Sequence, residues 1–279
     1  MTFIEPDEGI LRITAFIGVL IVMIQLEYLI PRKARSLPRT ERWITNTLLV
    51  VIDTVTLKLV MPVLAVAMAT TTSDKGWGLL SLVSWPLWVE IILAIVVLDM
   101  CIYLQHWASH KVPILWRFHQ VHHADRDIDV TTGLRFHPIE ILFSMTYKLL
   151  LVVVLGPAAV AVILFEIILN ASAMFNHSNV RLPLNIDNAL RKIIVTPDMH
   201  RVHHSVIRSE TDSNYGFFLS IWDRLYRTYI PQPRDGHDGM KIGLLEYQTN
   251  EPASITWSLL LPFKPKKASV QANVSDTQP

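Results

Sequence analysis

Eight of the chain's 11 histidines fall in three tight groups. They are His106/His110, His119/His122/His123 and His200/His203/His204, spaced HxxxH, HxxHH and HxxHH. Residues three and four apart share a helix face, so each group is expected to aim its imidazoles at one point. Neutral imidazole is the commonest protein metal ligand. So many imidazoles exceed the four positions of one zinc ion, and the pattern calls for two metals. A single histidine is usually a surface or hydrogen-bonded core residue; the recurrence of HxxHH argues for more than that here.

Two further histidines join as candidates. His177 follows a long apolar stretch, with Glu166 and Asn170 before it at helical spacing. Polar stripes inside apolar helices usually face a cavity or bundle interior. His137 precedes Pro138, which biases it to extended backbone. The candidate metal ligands are therefore His106, His110, His119, His122, His123, His137, His177, His200, His203 and His204, and all but His137 also form the candidate catalytic set. Asp99, Asn170 and Asp198 are the candidate partners that orient the ligands, with Asp125, Glu140 and Asp212 as further acids of that kind. Asp53, Lys58 and Glu90 sit inside apolar runs, where they could pair with one another. His237, in a Gly/Asp loop, reads as a surface residue. Trp107, Trp116, Phe118, Met145 and Phe175 could line an acyl channel. Imidazole suits iron, zinc, copper and nickel alike. Many imidazoles beside an apolar cavity favour iron with O2, and hydrolysis is the zinc alternative.

These residues must be positioned by a membrane protein. Hydrophobic residues make up 51% of the 279, and mean hydropathy is +0.35, well above a soluble composition. A net charge of +1 gives no basic footprint for nucleic acid. A single cysteine, Cys101, excludes a disulfide framework and a four-thiolate iron–sulfur cluster. No Gly-rich dinucleotide or phosphate loop is present among the ten glycines, so reducing power must come from outside.

Spans are expected at about 9–30, 45–69 and 82–104, with a helical hairpin over 141–174 broken at Gly156-Pro157. Arg32, Lys33, Arg35, Arg39 and Arg42 follow the first span. By the positive-inside tendency they face the cytoplasm. The histidine groups and C-terminus then lie on that side and the acidic N-terminus outside. The chain reads as all-α: one membrane-embedded helical bundle over 1–265 with a cytoplasmic histidine-rich helical cap, a catalytic core over 99–229 and a disordered polar tail over 266–279.

The combined pattern resembles the fatty acid hydroxylase superfamily, also called the sterol desaturase family. HxxxH, HxxHH, a histidine after a hairpin and a second HxxHH occur in that order. The segments Arg135-Phe136-His137-Pro138-Ile139-Glu140, Thr196-Pro197-Asp198-Met199-His200, Asp212-Ser213-Asn214-Tyr215-Gly216 and Ser220-Ile221-Trp222-Asp223-Arg224-Leu225 are similar to that family's flanking motifs. The resemblance implies an integral-membrane enzyme of the cell inner membrane. It would bind two iron ions, with zinc possible after purification. It would take O2 and electrons from a ferredoxin-, cytochrome- or reductase-type donor. Its reaction would hydroxylate or desaturate a fatty acyl, sterol-like, carotenoid or alkyl-ether lipid. Some members have HxxxH at the hairpin exit, whereas this chain has Arg181, so His137, Asn170 or water would complete the His177 half-site. The residues alone leave two alternatives: a zinc-dependent membrane lipid hydrolase, or a metal-binding membrane protein without turnover.

Overall fold

The computed structural model describes residues 6–61 and 63–265; the polar tail expected over 266–279 lies outside them. Helices are the regular structure of the described residues, joined by isolated β-bridges such as Ile194–Leu219 and Ser205–Ile242. The all-α expectation holds. Long helices form a bundle: α1 (Pro6–Leu29), α2 (Arg39–Val60), α4 (Leu87–Lys111), α6 (Pro138–Leu155) and α7 (Ala159–Asn176), with the shorter α3 (Ala65–Asp74) between α2 and α4. Five segments are long and apolar enough to cross a membrane: α1, the stretch containing α2 and α3, α4, α6 and α7. Ile10, Ile13, Ile17 and Ile21 on α1 are exposed, as suits a helix whose solvent is lipid. This is an integral membrane protein.

Three boundaries differ from the sequence reading. The second apolar run breaks after α2, at 61–64, and continues as α3, which packs on α6 and α7. The third span starts later and runs to Lys111, so His106 and His110 belong to the helix itself. The hairpin forms as expected. Its α6 and α7 have 18 residues each, about 27 Å at 1.5 Å per residue. Gly156 caps α6 in the left-handed region at φ +61°, and Gly78, at φ +100°, packs directly against it. A Cβ at Gly156 would lie 1.9 Å from the Trp77 carbonyl oxygen, so the hairpin tip and the 77–78 turn meet only as bare backbone.

Some charges inside the bundle find partners, but not those anticipated. Glu166 receives Lys148 at 2.8 Å and Arg12 at 2.7 Å. Glu90 accepts from the Ala158 amide at 2.7 Å, at the start of α7. Lys58 is exposed and Asp53 is buried, so Asp53, Lys58 and Glu90 do not pair with one another. Arg42, read from the sequence as a loop charge, is buried: it bridges Asp125 at 2.6 and 2.7 Å and Asp129 at 2.6 Å. The cap therefore grips the first turns of α2.

Candidate metal centre

Four elements bring the histidines together. The last turns of α4 carry His106 and His110. The next helix, α5 (Pro113–His123), starts with proline at its first turn, where the missing N–H costs nothing, and ends with His119, His122 and His123. His177 caps the C-terminus of α7. After α8 (Leu184–Leu190), the short α9 (Pro197–His203) begins at Thr196, whose side chain accepts from the Met199 amide. It carries His200 and His203, with His204 just beyond.

The nine buried imidazoles divide into two groups: His106, His110, His119, His123 and His203; and His122, His177, His200 and His204. Within each, the available nitrogens lie within 4.8 Å of one another. The expectation that each motif converges on one point holds for HxxxH, whose His106 and His110 share a group, and is corrected for both HxxHH motifs. Each HxxHH splits, its i,i+4 pair entering one group and its remaining histidine the other. The groups share a wall, where the His123 and His204 rings stack at 4.5 Å.

Most rings are held by Nδ1. His106 donates to the Tyr215 carbonyl at 2.7 Å, His203 to Ser213 at 2.7 Å, His177 to Ala173 at 2.7 Å and His122 to Arg135 at 3.2 Å. Burial, reinforced by neighbouring imidazoles, holds His122, His123, His200, His203 and His204 well below the ordinary histidine pKa. Burial likewise brings His177 down to about 4. A neutral ring with its proton on Nδ1 presents a bare lone pair at Nε2. Yet Nε2 of His106 faces Nε2 of His203 at 3.0 Å, and Nε2 of His122 faces that of His177 at 3.0 Å. Two lone pairs do not hydrogen-bond; such a pair calls for a cation between them. Two nitrogens each about 2.1 Å from one ion and at right angles sit about 3.0 Å apart. Both nitrogens of His123 and of His204, and Nε2 of His119 and of His110, are buried without a hydrogen-bond partner. The donor set fits metal ions in both groups.

The fatty acid hydroxylase family profile matches residues 91–228, which span all nine of these histidines. This region is similar to the fatty acid hydroxylase family. An ornithine lipid hydroxylase of Rhizobium tropici is 31% identical over 153 residues, 54% of this chain and 44% of that protein. The alkylglycerol monooxygenase of Xenopus tropicalis is 33% identical over 149 residues, 53% of this chain and 31% of its own length. The human alkylglycerol monooxygenase is 33% identical over 132 residues, 47% of this chain and 28% of its own. The chain thus spans less than half the length of these relatives. No solved structure shows significant similarity to it.

Around these histidines, some supports lie where the sequence suggested and others do not. Glu140 accepts from His119 Nδ1 at 2.6 Å, and Asp212 lies 3.5 Å from His110 Nδ1. Asp99 acts one step removed. It accepts from the amides of Phe218 and Leu219 and from Trp222 Nε1 at 2.7 Å, pinning the segment beyond the Tyr215 carbonyl that holds His106. Asp198 touches no clustered imidazole; it anchors α9 through Arg32 at 3.0 Å. Asn170 donates to the Glu166 carbonyl, leaving His177 to be held by Ala173. His137 is not brought to either group. Its Nδ1 caps α6 by accepting from the Ile139 amide at 3.1 Å, and its Nε2 meets the Leu259 carbonyl at 3.2 Å, so both nitrogens are engaged. His237 is buried beside Asp198 rather than exposed. Gly133 was not anticipated: a Cβ there would lie 2.7 Å from the Ala173 carbonyl oxygen and 3.2 Å from His177 Nδ1.

A cavity of about 290 Å³ leads from the domain's His106 and His119 in among the membrane helices. Phe16, Leu57, Ile102, Met145, Leu169 and Phe217 supply apolar wall. Of the aromatic and Met residues suggested for an acyl channel, only Met145 lines it. Trp107 is exposed, Trp116 packs at a tilt against His110, and Phe118 and Phe175 pack elsewhere.

Proposed function

We propose that this chain is a membrane oxygenase that inserts one oxygen atom of O2 into a C–H bond of a lipid, using two iron ions held by the two histidine groups. The observation that carries the reading is the apposition of bare Nε2 lone pairs in two adjoining buried groups at the head of an apolar cavity. The hydroxylase and monooxygenase names of its relatives support the same reaction class.

Bound iron would supply the O2 activation that no side chain here can perform. The protein's own residues do the rest. His106, His110, His119, His123 and His203 would hold one ion, and His122, His177, His200 and His204 the other. The backbone carbonyls and Glu140 keep the proton of His106, His119, His122, His177 and His203 on Nδ1, so Nε2 of these rings stays free to ligate. The cavity walls exclude water and present the lipid chain to the centre. The second oxygen atom leaves as water, which takes up two electrons and two protons. With one cysteine in the chain, those electrons come from an external ferredoxin-, cytochrome- or reductase-type donor. Desaturation of the same lipid is the neighbouring outcome of the same chemistry. The basic segment after α1 would face the cytoplasm of the inner membrane, with the histidine cap on that side.

The decisive experiment is turnover by purified, iron-loaded full chain with membrane lipid extract, O2 and a chemical reductant. The expected product is a lipid one oxygen atom heavier, with the label carried from isotopic O2. His203→Ala should abolish it while membrane insertion is unchanged. Hydrolysed lipid without O2 uptake would replace the proposal with the zinc hydrolase.

A further inference from the structure

The cavity wall carries polar oxygens that nothing in the oxygenase reading satisfies. Asp53 on α2 lines the cavity, is only 7% exposed, and its Oδ1 is buried without a hydrogen-bond partner. Gln105 on α4 and Glu140 on α6 line the same space, and Gln105 Oε1 and Glu140 Oε2 are likewise buried and unpartnered. All three orphans are oxygens. The cavity's cation, Lys148, is already taken by Glu166, which also holds Arg12. Buried acceptors without donors are rare in folded proteins and mark a missing partner.

Asp53 stands seven residues beyond Asn46, about 10 Å along the helix. Asn46 bonds to the cap through Asp125 and Thr131, so Asp53 lies about two turns below that contact, on a cavity wall it shares with Glu140, the partner of His119. We infer that Asp53, with Gln105 and Glu140 beside it, recognises a hydrogen-bond donor on the substrate. The lipid this cavity takes thus carries a hydroxyl or amino group close to the carbon to be oxidised and an unbroken hydrocarbon chain beyond it. An anionic headgroup would bring further acceptors and no donor; a plain hydrocarbon would leave all three oxygens bare. This inference rests on the cavity being the lipid site, and it makes Asp53 a specificity residue.

The test is binding, read without reductant or O2. Full chain, metal-loaded and in nanodiscs, is titrated with hexadecane, hexadecanol and hexadecylamine, compared by the mole fraction in the bilayer that half-saturates the protein. Wild type should prefer the alcohol, the amine or both over hexadecane by about tenfold or more, the scale of a hydrogen bond to a charged group. Asp53→Leu should erase that preference while hexadecane binding persists. Asp53→Asn keeps the shape and an acceptor, so it should retain the alcohol and lose the amine. That contrast separates a neutral donor from a cationic one. Metal content and Tm equal to wild type show that each variant is folded. No preference in wild type, or a preference that survives Asp53→Leu, overturns the inference. Donor-selective binding by a protein that never oxygenates would overturn the proposed function and leave this inference standing.

Discussion

At the scale of single residues, the histidines were legible and their division was not. Spacing identified nine imidazoles that do come together. Successive helical residues turn by 100°, so i and i+4 lie 40° apart while i+3 falls 60° to the other side. His119 and His123 therefore point one way and His122 another; that arithmetic was available in the sequence. The carbonyls of Ala173, Ser213, Tyr215 and Arg135 were not, because every residue has one and only the fold selects which faces a ring. Glu140 tests this level directly. Its bond to His119 Nδ1 fixes which nitrogen is bare, so Glu140→Ala should lower metal affinity about 10- to 100-fold, measured by competition with a calibrated chelator. Gly133→Ala should act on the other group by pushing against the Ala173 carbonyl and His177. Metal analysis should show that group depleted first, with the protein still inserted in the membrane.

At the scale of elements, the helical hairpin was readable because Gly156-Pro157 interrupts an apolar run. The break between α2 and α3 was missed because both flanks are apolar and hydropathy runs straight through it, although the sequence signals it with Pro62. Arg42 and Asp125 escaped for a related reason: a basic residue after a span looks like a topogenic loop charge until the fold pairs it. Burial would raise the Asp125 carboxyl, but Arg42 outweighs it and holds the group down to about 2. Arg42→Ala would leave two buried carboxylates uncompensated and should cost about 3–5 kcal/mol; denaturant titration in detergent gives the number. Gly156→Ala should be comparably disruptive, since Cβ cannot coexist with the Trp77 carbonyl. Its signature is loss of α3 packing on the hairpin, read as new proteolytic cleavage near residues 74–80. The orientation of these elements is a separate matter: five crossings, one for each of the five segments long and apolar enough, would put the ends of the chain on opposite sides. Cysteines introduced at Asp7 and Ser269, in a Cys101→Ser background, should label from opposite faces of sealed vesicles; labelling from one face refutes the odd count.

At the scale of the whole molecule, two solvents divide the structure. The spans are stabilised by lipid and by ion pairs such as Glu166 with Arg12 and Lys148, neither of which involves the histidine groups. The cap has small helices, few of more than two turns, and its centre is nine mutually facing imidazoles. Short helices gain their stability from packing, and this packing brings lone pair against lone pair. The ions proposed here therefore act as the cap's central tertiary contact. Each contributes about 2.7 kcal/mol when free metal is a hundredfold above its dissociation constant. Anaerobically prepared protein should contain two metal ions per chain. Stripping them with a chelator should lower Tm and speed amide exchange in α5, α9 and the Tyr215 segment, while α1, α4 up to Asp99, α6 and α7 keep their protection. Iron restores the cap if the loss is local, and exchange that rises uniformly across spans and cap would show instead that the metal holds the whole bundle together.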